Sequence, residues 1–246
     1  MQQVAENKSS SSTTGVREAI ILAGGAGTRL LPVMQHLPKC LAPINHQPFL
    51  HYLLGYLEKQ GIQHCILALG YLHHMVQEYI ANSKYNMHFS FSIEDSPLGT
   101  GGALKQALAK ANTEQVLVVN GDTLFFVNTL LLLQQHTSHK AQCTVALKPM
   151  QHTSRYGVVG MNDKNIITNF SEKKYYTNAL INGGLYVIEK SSWQDLVLPT
   201  AFSFEKDYLE KHLYNNTIAG YIEDAYFIDI GIPEDLERAQ NDFKNM

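Results

Sequence analysis

Ile20-Ile21-Leu22-Ala23-Gly24-Gly25-Ala26-Gly27-Thr28-Arg29-Leu30 begins as an apolar run, breaks into glycines and ends in Thr-Arg, and Pro38-Lys39 follows after a short loop. The run reads as a buried strand and the glycines as the turn leaving its carboxyl end. Glycines at that point let backbone N–H groups approach a ligand where a Cβ would clash. Arg29 and Lys39 add positive charge. The combination suits a nucleoside triphosphate gripped by its phosphates and attacked at the α-phosphorus. A glycine turn that merely joins strand to helix would leave Arg29 and Lys39 unexplained. Spacing disfavours two competitors. A dinucleotide-binding turn needs G-x-G-x-x-G, whereas Gly25-Ala26-Gly27-Thr28-Arg29 is followed by Leu30. A P-loop needs Gly-Lys, and the chain has no such pair.

From Glu18 onward strand-like and helix-like segments alternate. Strands are expected at 19–23, 64–69, 88–93, 116–119, 142–147 and 184–188, with helical patterns at 48–60, 73–82, 102–111 and 127–137. Short apolar strands separated by helices imply an α/β fold whose mostly parallel sheet is covered on both faces. After about residue 150 the pattern changes. Tyr156-Gly157-Val158-Val159-Gly160 and Ile166-Ile167-Thr168-Asn169-Phe170 read as shorter, antiparallel strands, and a last helix is expected near Pro233. Ligands of such sheets bind beyond the carboxyl ends of the strands, where the glycine turn lies.

The chain has 246 residues, 45% hydrophobic and 17% charged, with a net charge of −3. That composition fits a globular protein with a sizeable core and disfavours a general binder of nucleic acid or membrane surface. Cys40, Cys65 and Cys143 are an odd number without metal-ligand spacing and are expected to be reduced thiols in a cytoplasmic protein. The longest apolar run, Leu124 to Leu133, is interrupted by Asn128 and is too short to span a bilayer. Residues 1–17 are polar, serine-rich and without a signal peptide's apolar segment, so they are expected to be a disordered tail before one domain at 18–246.

Carboxylates supply the next clues. Asn120-Gly121-Asp122-Thr123 directly follows the strand Val116–Val119. Asp122 there can reach a metal bound to phosphates, or it can cap the next helix. Asp229 sits in the apolar run Tyr226-Phe227-Ile228-Asp229-Ile230-Gly231-Ile232-Pro233, where an unpaired charge is costly. A Mg²⁺ held jointly with Asp122 would remove that cost, and so would a cation or backbone donors. Phe170-Ser171-Glu172-Lys173-Lys174 places an acid and a base at a strand end, suited to sugar hydroxyls and a phosphate or to a solvated turn. Asn182-Gly183-Gly184 lets backbone amides contact a sugar or forms a bulge. Glu94-Asp95-Ser96-Pro97-Leu98-Gly99-Thr100-Gly101-Gly102 is a second glycine-rich loop that opens a helix, suited to a base or ribose or to an ordinary helix start.

In this order, Leu22–Leu30, Pro38-Lys39, Pro97–Gly102, Asn120-Gly121-Asp122, Glu172-Lys173, Asn182-Gly183 and Asp229-Ile230-Gly231 resemble the sugar-1-phosphate nucleotidyltransferases. The likeness runs from about Glu18 to the end. Within that family, Phe202-Ser203-Phe204-Glu205 and Tyr226–Asp235 are most similar to the guanylyltransferases acting on D-glycero-α-D-manno-heptose 1-phosphate. The resemblance implies a Rossmann-like, mostly parallel sheet of the glycosyltransferase-A kind with a small antiparallel sugar-binding part. It implies that Leu22, Ala23, Gly24, Gly25, Gly27, Thr28, Pro97, Thr100 and Gly121 bind the nucleotide, with Arg29 and Lys39 on its phosphates. Glu94 and Gly99 would face the base, and Asp122 and Asp229 would bind Mg²⁺. Gly157, Glu172, Asn182 and Gly183 would contact the sugar, and Lys173 its phosphate. Two positions depart from the family: Cys40 and Lys174 stand where proline is common.

A carboxylate at Glu94 only accepts hydrogen bonds. Guanine offers N1–H beside its 2-amino group, whereas uracil and thymine flank one N–H with carbonyls. Glu94 at the base edge therefore favours GTP. The expected substrates are an NTP and a sugar 1-phosphate, with no nucleic acid or membrane partner and a homo-oligomer left open. Other pairs, mannose, glucose or N-acetylmuramate 1-phosphate with GTP or UTP, remain, as does a non-catalytic nucleotide-sugar-binding homologue. That homologue should lack Arg29, Lys39 or one aspartate, all of which are present. A glycosyltransferase should carry Asp-x-Asp, which residues 120–124 do not.

Overall fold

A computed structural model of the chain describes residues 15–25, 36–171, 174–215 and 217–245. In chain order the elements are β1 (Glu18–Leu22), β2 (Pro43–Ile44), β3 (Gln47–Pro48), α1 (Phe49–Lys59), β4 (His64–Leu69), α2 (His73–Ala81), β5 (His88–Ile93), α3 (Gly99–Leu108) and β6 (Gln115–Asn120). There follow β7 (Thr123–Phe125), α4 (Thr129–Ser138), β8 (Cys143–Thr153), β9 (Val158–Met161), β10 (Ile167–Ser171), β11 (Tyr176–Glu189), β12 (Ile218–Ile222), β13 (Phe227–Asp229) and α5 (Pro233–Asp242). Each expected strand and helix has its counterpart, with ends shifted by a few residues except where noted below.

β5, β4, β1 and β6 run parallel in that spatial order. Leu22 pairs with Ala68 on one side and Asn120 on the other, so the carboxyl ends of the central strands share one edge. β11 runs antiparallel to β6 and β8, and β12 closes that side parallel to β8. β9 and β10 form the expected antiparallel pair, joined to β11 through Val158 opposite Ile181.

Period-two alternation sorts the strands between two cores. Ile21, Leu67, Val119 and Val187 face one core, shared with α1, α2, α4 and α5. Ile20, Ile66, Val118 and Ile188 face the other, shared with α3 and the aromatic group Trp193, Phe204 and Tyr208. In α1, Phe49, Leu50, Leu53, Leu54 and Leu57 repeat at helical spacing and are all buried. Each such burial contributes roughly 1.5–3 kcal/mol. The run Leu124–Leu133 divides at Asn128, whose side chain caps α4 by accepting from Leu131 N at 3.2 Å. Among the described residues no helix is long and apolar enough to cross a membrane. The three cysteines are buried and unpaired.

Three features differ from the sequence expectation. β8 and β11 extend well past 142–147 and 184–188 as a two-stranded arm, with Leu180 opposite Pro149 and Asn178 opposite Gln151. The arm is mostly exposed or half-buried, so it lacks an apolar signature. α3 starts at Gly99, ahead of the expected 102, because Gly101 N donates to Phe202 O and Phe202 N to Leu98 O, both at 2.9 Å. At the tail's end Val16 is buried and Arg17 O accepts from Gln63 N and His64 N. The remainder of the expected tail, residues 1–14, lies outside the described residues.

Candidate active site

The end of β6 is held hard against the turn that follows β1. Gly121 N donates to Leu22 O at 2.8 Å. A Cβ on Gly121 would stand 2.9 Å from both Leu22 O and the Ala23 Cβ, so this approach requires glycine. Asp122 follows at once. β13 pairs antiparallel with β7 and sets Asp229 opposite Thr123, and Ile230 N donates to Asp122 O at 3.0 Å. A two-stranded ladder thus brings together two acids that are distant in sequence. Lys39 Nζ donates to Asp122 Oδ2 and stands 3.8 Å from Asp229 Oδ1. Asp229 Oδ1 also accepts from Gly231 N at 2.7 Å.

Asp122 is not the cap of the following helix, since Asn128 serves there. Asp229 has the cation and the backbone donor that could explain its burial, but they leave an imbalance. Burial first, then the neighbouring Asp122 charge, push the Asp229 carboxyl above its ordinary range, against the pull of Lys39 and the Gly231 N–H. Two acids share one lysine, and a divalent cation would relieve the excess negative charge. Among the described residues no group of three or more His, Cys, Asp or Glu side chains gathers as a metal cage. Two carboxylates with open space beside them fit a hard cation that takes its remaining oxygens from phosphates and water.

Two cavities meet at this acid pair. The first, about 330 Å³, is lined by Leu22, Ala23, Gly25, Lys39, Thr100 and Gly121, among others, with Asp122 at its edge. All seven come from the predicted nucleotide, phosphate and metal sets. The second, about 560 Å³, is lined by Gly157, Asn182 and Gly183 of the predicted sugar set and by Asp229. Asn120 lines both. Sequence reading quoted Asn120 within Asn-Gly-Asp without assigning it a role and missed its place at the junction. It also missed Tyr156, Glu205, Lys206, Glu210 and Phe227 in the second cavity. Glu205 carried a signal in the quoted Phe202–Glu205 likeness, but no role followed from it.

Asn182-Gly183-Gly184 takes the bulge reading, with register shifting between Asn182 and Tyr186, and also lines the second cavity. Gly184 adopts φ 68°, in the left-handed region, with the Asn120 side chain 2.8 Å from where its Cβ would be. Cys40, at the position where the family often has proline, lines the first cavity while buried. Burial, then the Asp122 charge, push its thiol up to about 12, which keeps it protonated and out of nucleophilic chemistry.

Glu94 follows β5, its N–H donating to Leu69 O at 2.9 Å. Its carboxylate lies against Gly24, where a Cβ would overlap it, and Oε2 accepts from Leu98 N at 2.7 Å. The Pro97–Gly102 loop has a second reason for its glycines. Cβ atoms on Gly99, Gly101 and Gly102 would run into Phe202 and Thr200. Thr100 Oγ1 accepts from Phe204 N at 2.9 Å, tying this loop to the chain beyond Phe202. Gly27, Thr28, Arg29, Glu172 and Lys173 lie outside the described residues. Lys174, the other departure, sets its ammonium over the Tyr176 ring at 5.3 Å.

Comparison with known proteins agrees with this geometry. The chain is 47% identical over 228 residues to D-glycero-alpha-D-manno-heptose 1-phosphate guanylyltransferase of Aneurinibacillus thermoaerophilus, covering 93% of this chain and 99% of that one. It is 40% identical over 218 residues to the protein of the same name from Campylobacter jejuni, covering 89% and 96%. The crystal structure of HddC from Yersinia pseudotuberculosis complexed with GMP-PN matches with a TM-score of 0.82 at 33% identity, covering 93% of this chain and 100% of that one. The nucleotidyl transferase model matches residues 18–246. A glycine turn, a lysine and two aspartates converging at the strand ends are therefore those of a member of the nucleotidyl transferase family, to which this chain belongs.

Proposed function

We propose that the chain transfers GMP from GTP to D-glycero-α-D-manno-heptose 1-phosphate, releasing pyrophosphate. The observation that carries this reading is the Asp122–Lys39–Asp229 cluster at the meeting point of two cavities. The names of the 47% and 40% identical relatives supply the guanine nucleotide and the heptose. A phosphate oxygen of the sugar 1-phosphate bonds to the α-phosphorus of GTP. The bond from that phosphorus to the bridging oxygen breaks, and pyrophosphate leaves with the electron pair. No enzyme nucleophile is needed, so catalysis is positioning plus charge neutralisation.

The chain's own groups divide that work. The amides at Ala23, Gly24 and Gly25, with Arg29 and Lys39, hold the triphosphate. Glu94 accepts from guanine N1–H and the 2-amino group. Lys173 orients the attacking phosphate, and Glu172 with the Gly157 and Gly183 wall holds the sugar. Asp122 and Asp229 would hold Mg²⁺, which would supply positive charge to offset the negative charge that grows on the phosphates. Reaction in the cytoplasm, where GTP is available, fits buried reduced cysteines.

The test is pyrophosphate release with GTP or UTP against heptose, mannose, glucose and N-acetylmuramate 1-phosphates. The highest kcat/KM is expected for GTP with the heptose. Equal turnover with UTP would remove the guanine argument. Inertness towards every sugar 1-phosphate would leave a nucleotide-sugar-binding homologue.

A further inference from the structure

Asn182 spends its side-chain amide inside the protein. Its Nδ2 donates to the Tyr186 hydroxyl at 2.9 Å and to Glu205 Oε1 at 3.1 Å, while its Oδ1 accepts from Gly184 N at 3.0 Å. Both amide hydrogens are therefore committed before a sugar arrives. The group they steer into the second cavity is the Glu205 carboxylate.

The chain around Glu205 is anchored on both sides. Phe204 is buried against Tyr186, Trp193 and Tyr208, and its N–H donates to Thr100 Oγ1. Ser203 and Asp207 close a reciprocal cap: Ser203 Oγ accepts from Lys206 N at 3.2 Å, and Asp207 Oδ2 accepts from Ser203 N at 2.9 Å. Glu205 is exposed between these fixed points and lines the cavity.

Hydrogen-bonding character then distinguishes the groups that meet a sugar phosphate. Glu205, Lys206 and Glu210 all line the cavity, and the two carboxylates, as acceptor-only groups, welcome hydroxyl donors. Asn120 and Asp229, with Lys39 beside Asp229, belong to the junction with the nucleotide cavity. We propose that Glu205 is the carboxylate that accepts from the hydroxyls of the bound sugar and sets sugar specificity. Asn182 is a positioning residue that acts through Glu205. A heptose, with hydroxyl-bearing carbons beyond its ring, presents such donors away from its phosphate. This role rests on the guanylyltransferase reading above and adds to it the residue that selects the acceptor.

The experiment uses the full chain, GTP, and whichever sugar 1-phosphate the unmodified protein turns over fastest. Glu205→Gln is expected to raise KM for the sugar phosphate about tenfold or more, the loss of a charge-assisted hydrogen bond, with KM for GTP unchanged. Asn182→Ala raises the same KM, and the Asn182→Ala/Glu205→Gln double variant is no worse than Glu205→Gln alone, because one residue works through the other. Glu205→Asp, which keeps the charge, falls between the unmodified protein and Glu205→Gln, and serves as the test if Glu205→Gln fails to fold. A sugar KM unchanged in a folded Glu205→Gln or Glu205→Asp variant overturns the role of Glu205. Fully additive effects overturn the positioning role of Asn182. Failure of the unmodified protein with every sugar phosphate is distinct, because it overturns the guanylyltransferase reading itself.

Discussion

Lys39 occupies the position of a counter-ion shared by Asp122 and Asp229, and one positive charge cannot balance two negative ones. Asp122→Asn removes one of the two acids proposed to hold a cation while keeping nearly the same shape. Pyrophosphate release is expected to fall by about 10³-fold, corresponding to several kcal/mol of charge stabilisation, with the melting temperature little changed. Near-normal turnover would refute the metal role. Glu94 is the second residue whose chemistry can be isolated. In Glu94→Gln the neutral amide offers one acceptor and one donor group where guanine needs two acceptors. Expected kcat/KM for GTP falls about 10- to 100-fold while that for UTP does not, as measured by steady-state kinetics with each nucleotide. Both aspartates and Glu94 could be named from sequence because each interrupts a pattern, a carboxylate in an apolar run or at a strand end. Glu205 lies in a short aromatic stretch whose shape only its partners reveal, so its place in the second cavity was not legible.

At the scale of elements, the site depends on two close approaches. The first is Gly121 against the β1 end. Gly121→Ala forces the β6 end away from Leu22 and Ala23, and is expected to lower stability by about 1–3 kcal/mol and to reduce turnover as the first cavity distorts. Denaturant melts of the variant beside the unmodified protein measure the first effect. The second is the β7–β13 ladder that sets Asp229 beside Asp122. Three-residue strands carry almost no periodic signal, so that ladder could not be read in advance. The parallel strands β1, β4 and β6 could, because burial on both faces makes each a short, nearly continuous apolar run. The β8–β11 arm could not, since half of it lies outside the two cores.

At the scale of the molecule, a buried carboxylate braces the sheet at the edge opposite the site. Glu18 accepts from His64 Nδ1 at 2.7 Å, from Asn112 N at 2.7 Å and Nδ2 at 3.0 Å, and from Thr113 N at 2.6 Å and Oγ1 at 2.8 Å. His64 continues to Ser90 at 2.9 Å, so one cluster joins β1, β4, β5 and the turn before β6. Burial alone would raise the Glu18 carboxyl, but the hydrogen bonds from His64, Thr113 and Asn112 outweigh it and hold it at about 2, below the ordinary 4.5. A folded-state value below the unfolded one stabilises the protein above pH 4.5 and ceases to do so as pH falls towards 2. The gain is on the order of 3 kcal/mol near neutral pH. Urea melts of Glu18→Gln are expected to show a loss of about that size at pH 7, shrinking between pH 4.5 and 2. A gap that stays constant down to pH 2 would contradict the account.

Local chemistry alone determined the alternating strands and helices, the glycine turn, and the acids and bases able to handle a nucleotide. Those features depend on hydrophobic period, on backbone freedom and on charge, each carried by residues close in the chain. Tertiary structure alone decided that Asp122 and Asp229 face one lysine and that Asn120 joins two cavities. It also decided that Asn182 donates its amide to Tyr186 and Glu205. Such juxtapositions arise from pairing and packing between distant segments, and no local pattern in the chain encodes them.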